Sequence, residues 1–289
     1  MIDKQLLRKR FSDHARTYDE YANVQKKMAN QLIGSLPKSD KSIDILEIGC
    51  GSGYLTRILC EVFPHATITA IDLAPGMIEV AKERMGEKRV TYLCGDIEEM
   101  MLHKTYDIII SNATFQWLNN PKKVIGQLYT LLKSGGVFTF STFGAKTFQE
   151  LHTCYVQAKL KLQLQTSSAP GQAFYSKTEL VGLCERALAV SKSTFPNEIT
   201  GTQQFEREYF QNARAFFTSV QKIGASNSNK TNSIQRPSFF RELIKLYETN
   251  YRDENGIRAT YDCLFLSIKK IGLLHNDGVD ETVGVDIKT

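Results

Sequence analysis

Between residues 43 and 143 short apolar runs alternate with amphipathic stretches, the pattern of buried parallel strands joined by crossover helices. The run Ile43 to Ile48 passes through Glu47 into Gly49, Gly51 and Gly53, and a helix is predicted over 54–63, stopped by Pro64. A β-branched run over 66–71 ends at Asp72, and Pro75 opens a helix through Arg84. Further strands are predicted over 90–93, 106–110 and 137–143. A helix over 121–132 starts at Pro121 and closes before Gly135-Gly136. This order specifies a doubly wound, mostly parallel seven-stranded α/β sheet with ligands at the carboxyl ends of its strands.

The flanks break the alternation. Residues 3–34 read as two helices joined near Arg16 to Asp19, with Phe11, Ala15, Tyr18 and Tyr21 spaced to share one face. Residues 145–180 and 204–252 read as helices and loops around a strand near 187–200, and the seventh strand falls at 259–268. The expected layout is an N-terminal helical lid over 1–38 and a ligand-binding core over 39–145. The remaining core strands with helical cap insertions follow over 146–275, and an acidic tail over 276–289.

The glycine turn brings in chemistry. A dinucleotide fingerprint starting at Gly49 needs a glycine at position 54, where the chain has Tyr54, so NAD and FAD are disfavoured. Asp72 stands 21 residues past Gly51 at a strand end, where an acid accepts hydrogen bonds from ribose hydroxyls. Glu47-x-Gly49-x-Gly51-x-Gly53 resembles motif I of the class I S-adenosylmethionine-dependent methyltransferases. That resemblance implies that the glycines admit the cofactor's amino-acid portion and that Glu47 organises the loop. It also places Met77 over the adenine, Asp96 on the adenine amino group and the Ile97 amide on a ring nitrogen, with Leu73 and Asn112 completing the cofactor set.

Composition narrows the class only slightly. Hydrophobic content of 42% and charged content of 23% are ordinary for a globular chain. The six cysteines lie singly, without C-x-x-C or metal-ligand spacing, so no metal is expected. Lys4, Arg8, Lys9 and Arg10 crowd the N-terminus, no apolar run nears the roughly 18 residues of a membrane span, and a cytoplasmic protein is expected. Because Asp277, Asp280, Glu281 and Asp286 sit in the tail, the body is more basic than the net charge of +5, which suits an acidic partner. Segment 111–117 lacks the Asn/Asp-Pro-Pro-aromatic tetrapeptide of base and amide methyltransferases, and its Trp117 is expected to pack locally. Nothing resembles the basic or aromatic strip of an RNA enzyme.

Taken together, Arg10-Phe11-Ser12, Ala15, Tyr18-Asp19 and Gln25, the segment Ala113 to Leu118, and Lys222-Ile223-Gly224-Ala225 resemble the malonyl-acyl carrier protein O-methyltransferases of biotin synthesis, over about residues 7 to 270. Ser226 and Asn227 depart from that pattern, which has Thr and often His there. The resemblance implies an enzyme that uses S-adenosylmethionine to methylate the free carboxyl of malonyl-acyl carrier protein or malonyl-CoA. A monomer is expected, and the N-terminal arm is placed to cover the ligand mouth, where Tyr18 can offer a sulfonium its ring face and hydroxyl. A carboxylate is already ionised at neutral pH, so no general base is needed. A cap Arg or Lys is expected to receive the carboxylate, and Arg8, Lys9, Arg10, Lys26, Lys27, Lys122 and Lys123 are candidates to meet the carrier. Open alternatives are another small carboxylate, a quinone-type phenol served by a lone pocket His, an RNA substrate, and a non-catalytic cofactor-binding scaffold.

Overall fold

The computed structural model describes residues 1–86, 89–164, 171–190, 197–224 and 237–271. Ala225, Ser226, Asn227, the polar stretch through Asn232, Arg236 and the acidic tail lie outside the described residues. Helices α1 (Lys4–His14), α2 (Tyr18–Tyr21) and α3 (Asn23–Gly34) precede the sheet. The first half of the core runs β1 (Asp44–Ile48), α4 (Tyr54–Val62), β2 (Thr67–Asp72), α5 (Pro75–Met85), β3 (Val90–Cys94), β4 (Tyr106–Ser111), a 3-10 turn (Phe115–Trp117), α6 (Pro121–Thr130) and β5 (Leu132–Phe143). The remainder is α7 (Gln149–Lys161), α8 (Lys177–Val190), β6 (Asn197–Phe210), α9 (Ala213–Lys222), α10 (Pro237–Asn250), β7 (Arg252–Asp253) and β8 (Gly256–Lys270).

The strands lie in the order β3-β2-β1-β4-β5-β8-β6, with the two-residue β7 paired to β8. Neighbours from β3 through β5 pair parallel, and β8 runs antiparallel to both β5 and β6. The apolar run of β1 is explained by burial on both faces: Ile45 faces the cluster holding Met28, Leu32 and Phe63, while Leu46 faces the one holding Phe138, Phe140 and Tyr129. Every crossover returns over these faces, so the carboxyl ends of β1, β2, β3 and β4 converge on one edge of the domain.

Three boundaries differ from expectation. The strand placed near 187–200 begins at Asn197 and runs to Phe210, residues 187–190 finish α8, and among the described residues the second helical insertion holds α9 and α10. β6 pairs with β8 along its whole length, and its acids Glu206 and Glu208 meet Lys27 (2.8 Å) and Asn23 (3.1 Å) on α3. An edge strand tolerates such charge because one of its sides is not part of the core. β5 begins at Leu132, ahead of the expected 137, through a register shift opposite Tyr106 and Ile108. In the arm, Phe11, Ala15 and Tyr18 pack together with Met77, whereas Tyr21 lies outside that cluster, and a third short helix separates α1 from α3.

Phe138 is fully buried and stacks on Phe140, with ring centroids 5.2 Å apart, beneath Phe115. Replacing it with Ala should cost about 3–5 kcal/mol of stability through lost burial and the cavity left behind, measured as a lower urea midpoint.

Candidate active site

The glycine turn is built by its neighbours. Gly49 N and Cys50 N both donate to Ile71 O at the end of β2, at 2.8 and 3.0 Å. Gly49 adopts φ +71, and a Cβ there would occupy the space of the Thr114 side chain, so only glycine fits. Asp72 accepts from Gly51 N through Oδ2 (2.9 Å) and from Ala74 N through Oδ1 (2.8 Å). Burial nevertheless outweighs these bonds and raises its carboxyl pKa to about 6. Glu47, fully buried behind the turn, accepts from Thr56 Oγ1 at 2.6 Å through Oε2, while Oε1 has no partner. Desolvation pushes its pKa to about 8.

In front of the turn lies a cavity of about 90 Å³ lined by Gly49, Gly51, Asp72, Leu73, Met77, Asp96, Ile97 and Asn112, together with Tyr18. The structure thus brings most of the expected set into one cradle. Glu47 and Gly53 do not line it: Glu47 braces α4 from behind, and Gly53 caps α4 against Ala81. Asn112 is fixed by donating to Gln25 O (3.0 Å) and accepting from Ser141 Oγ (2.7 Å), which ties α3 to β4 and β5.

The N-terminal arm closes the cradle. Lys4, Leu7, Phe11 and Tyr18 are part of its wall. Lys4 pairs with Asp96 (3.2 Å) and Glu98 (2.6 Å), Ile2 N donates to Asn119 Oδ1 (2.7 Å), and Asp19 accepts from Ser52 Oγ (2.6 Å) and pairs with Arg84.

A second cavity of about 200 Å³ lies beneath α7 and α9, walled chiefly by aromatic rings that include Phe143, Phe148, Phe174, Phe216 and Tyr261. Phe11, Tyr18, Ala113 and Trp117 line both cavities. Trp117 therefore does more than pack locally, as the sequence suggested: it meets Phe11 edge-on at 5.7 Å and forms part of the junction. Among the described residues no Lys or Arg lines the second cavity, and His152 is its one basic side chain. Ile223, from the segment Lys222 to Ala225 singled out in the sequence, lines this cavity, whereas the other wall residues from β5, α7, the 171–174 segment, α9 and β8 belong to no motif or spacing that links them before the chain folds.

Comparison with known proteins bears on this arrangement. The family described as "Methyltransferase domain" matches residues 46–140, which span the cradle from β1 through β5. The malonyl-[acyl-carrier protein] O-methyltransferase of Priestia megaterium is 56% identical over 93% of this chain and 99% of its own. The protein of the same name from Bacillus anthracis is 48% identical over 94% and 99%. The chain belongs to this methyltransferase family. Solved structures agree on the fold: the YcgJ protein of Bacillus subtilis aligns at TM-score 0.56 with 12% identity, over 86% of this chain and 99% of that one. A phosphoethanolamine N-methyltransferase of Haemonchus contortus, bound to phosphomonomethylethanolamine and S-adenosylhomocysteine, aligns at 0.51 with 14% identity, over 86% and 53%.

For Glu47 the linkage has a definite sign. Its folded pKa of about 8 exceeds the ordinary 4.5, so the fold favours the protonated acid and loses stability as pH rises through that interval. Glu47→Gln should therefore gain stability relative to the parent protein as pH climbs toward about 8, followed by chemical denaturation at several pH values. A stability difference independent of pH contradicts this.

Proposed function

We propose that this protein transfers a methyl group from S-adenosylmethionine to the free carboxyl of a malonyl group on acyl carrier protein, giving the methyl ester used as a primer in biotin synthesis. The observation that carries the reading is the junction itself, where an acid-lined cradle and an apolar chamber share Phe11, Tyr18, Ala113 and Trp117. The relatives that match this chain nearly end to end carry the corresponding name.

The residues present fit the cofactor. Asp72 has lone pairs left for ribose hydroxyls after its two backbone bonds, and Asp96 with the Ile97 amide offers the acceptor and donor an adenine edge needs. When bound, S-adenosylmethionine supplies an electrophilic methyl on a sulfonium. The chain's own task is then placement and desolvation. The acceptor carboxylate needs no base, and the aromatic chamber strips water from it. Burial raises the Tyr18 hydroxyl's pKa, so at neutral pH it stays a donor at the junction. The acceptor enters from an acidic carrier. Of the basic residues suggested to meet it, Lys27 pairs with Glu206, Lys26 donates to Asp19 O and Lys123 to Glu98 O, while Arg8, Lys9 and Lys122 stand exposed. The protein is expected to act as a cytoplasmic monomer.

His152 in the chamber favours a second reading, a phenol acceptor deprotonated by that imidazole. Mass spectrometry with S-adenosylmethionine and malonyl-carrier separates the two. A gain of about 14 Da on the malonyl group, one CH₂ replacing H in the methyl transfer, is expected without a covalent enzyme intermediate. No gain there, with methylation of phenols, overturns the malonyl reading. Asp72→Ala should weaken S-adenosylhomocysteine binding by about 1–3 kcal/mol, the cost of losing charged hydrogen bonds, read by calorimetry. Tyr18→Phe should lower turnover and leave that affinity nearly unchanged, and equal turnover removes the hydroxyl from the reaction.

A further inference from the structure

His152 occupies a position that the reaction leaves unexplained. It sits in the first turn of α7, where Leu151 and His152, with Phe148 just before the helix, line the acceptor chamber. The segment is held firmly at its start, since the His152 amide donates to Phe148 O (3.1 Å), and the buried Glu150 accepts from Thr260 N (3.1 Å) and Arg258 Nε (3.3 Å). The imidazole is half-buried and has no hydrogen-bond or ion-pair partner among the described residues. A ring nitrogen at such a wall, with no protein partner, leaves a polar group able to meet a ligand.

Most of the other polar groups of the chamber are committed. Gln116 donates to Ala113 O (2.6 Å) and accepts from Thr142 Oγ1 (2.9 Å). Gln172 donates to Gln116 O, and its buried Oε1, which can only accept, has no partner; Thr147 Oγ1 donates to Asp262 O (3.3 Å), and the Tyr261 hydroxyl is bonded to Glu208. Tyr18 stands at the junction, next to where the reacting oxygen must lie, and Gln25 offers an amide with both donor and acceptor character. His152 lines only the acceptor chamber, and its neutral ring carries an N–H that can meet an arriving anion.

We infer that His152 donates a hydrogen bond to the malonyl carboxylate and so orients its other oxygen toward the junction. The inference rests on the malonyl reading above. In the reaction the carboxylate oxygen forms a bond to the methyl carbon, the electron pair of the breaking bond goes to sulfur, and no proton moves. His152 keeps its N–H throughout. The donor suits the chemistry because methyl transfer cancels the carboxylate's charge, and a permanent cation would stabilise the reactant more than the transition state. Burial lowers the His152 pKa, which favours a neutral N–H over an imidazolium. It also accounts for an acceptor chamber whose described walls hold no Lys or Arg.

The test compares the parent protein, His152→Ala and His152→Gln on malonyl-pantetheine and malonyl-carrier, with S-adenosylhomocysteine affinity measured for each. His152→Ala should lower kcat/KM about 10- to 100-fold, the loss of one hydrogen bond to a charged group, with cofactor affinity unchanged. His152→Gln, which can donate but cannot act as a base, should recover most of that loss. Nitrogen-15 spectra of His152 in the S-adenosylhomocysteine complex should shift with malonyl-pantetheine and not with acetyl-pantetheine, which lacks the carboxyl. Ala activity within twofold of the parent, or identical spectra with the two thioesters, overturns the inference alone. Loss of activity in both variants with intact cofactor affinity points to a base and overturns the donor role. A parent protein inactive on every malonyl acceptor overturns the malonyl reading, and this inference with it.

Discussion

The site depends on a mutual hold between two adjacent strand ends. The peptide N–H groups of Gly49 and Cys50 are satisfied by Ile71 O, and the Gly51 N–H by the carboxylate of Asp72. Each partner needs the other. Without Asp72 the turn would leave a backbone donor to find water, and without the turn Asp72 would be a carboxylate in apolar surroundings with its pKa driven higher still. Gly49 allows the turn to pass under Thr114, which brings the end of β4 over β1 and places Asn112 and Ala113 beside the same cavity.

Around that hold the protein arranges two cavities, both largely apolar, of which the cradle alone carries carboxylates. The cradle presents carboxylates and backbone groups, while the acceptor chamber presents rings from elements far apart in the chain. The arm lies across both. Its bonds to the core, through Ile2, Lys4 and Asp19, are made to residues at the edges of the cradle, and Lys4 reaches Asp96 directly. Exclusion of water strengthens every polar interaction at the junction and leaves the nucleophile poorly solvated, which is what a reaction between an anion and a sulfonium requires.

The cradle was legible in the sequence because its parts are local to strand ends. A glycine pattern after β1, an acid ending β2 and an acid after β3 each occupy a position that the alternation of strands and helices already defines. The chamber was not legible, because Phe143, His152, Phe174, Phe216 and Tyr261 become neighbours only when β8 inserts beside β5 and α7 and α9 fold over it. The same logic covers β6, whose Glu206 and Glu208 find partners only when α3 supplies Lys27 and Asn23. Glu47 shows a subtler limit: its place in the motif was evident, but only the packing reveals that it faces Thr56 rather than the cavity.

Chemically, methyl transfer to a carboxylate is a matter of placement. A carboxylate gives up no proton in this transfer, and the two cavities share Phe11, Tyr18, Ala113 and Trp117, where the proposed function has the oxygen and the methyl meet. The most direct measurement is a crystal structure with S-adenosylhomocysteine and malonyl-pantetheine bound together. The cofactor's sulfur and the malonyl carboxylate are expected on opposite sides of that junction, with the carboxylate inside the aromatic chamber. A malonyl group bound elsewhere, or a sulfur turned away from the junction, would contradict that placement.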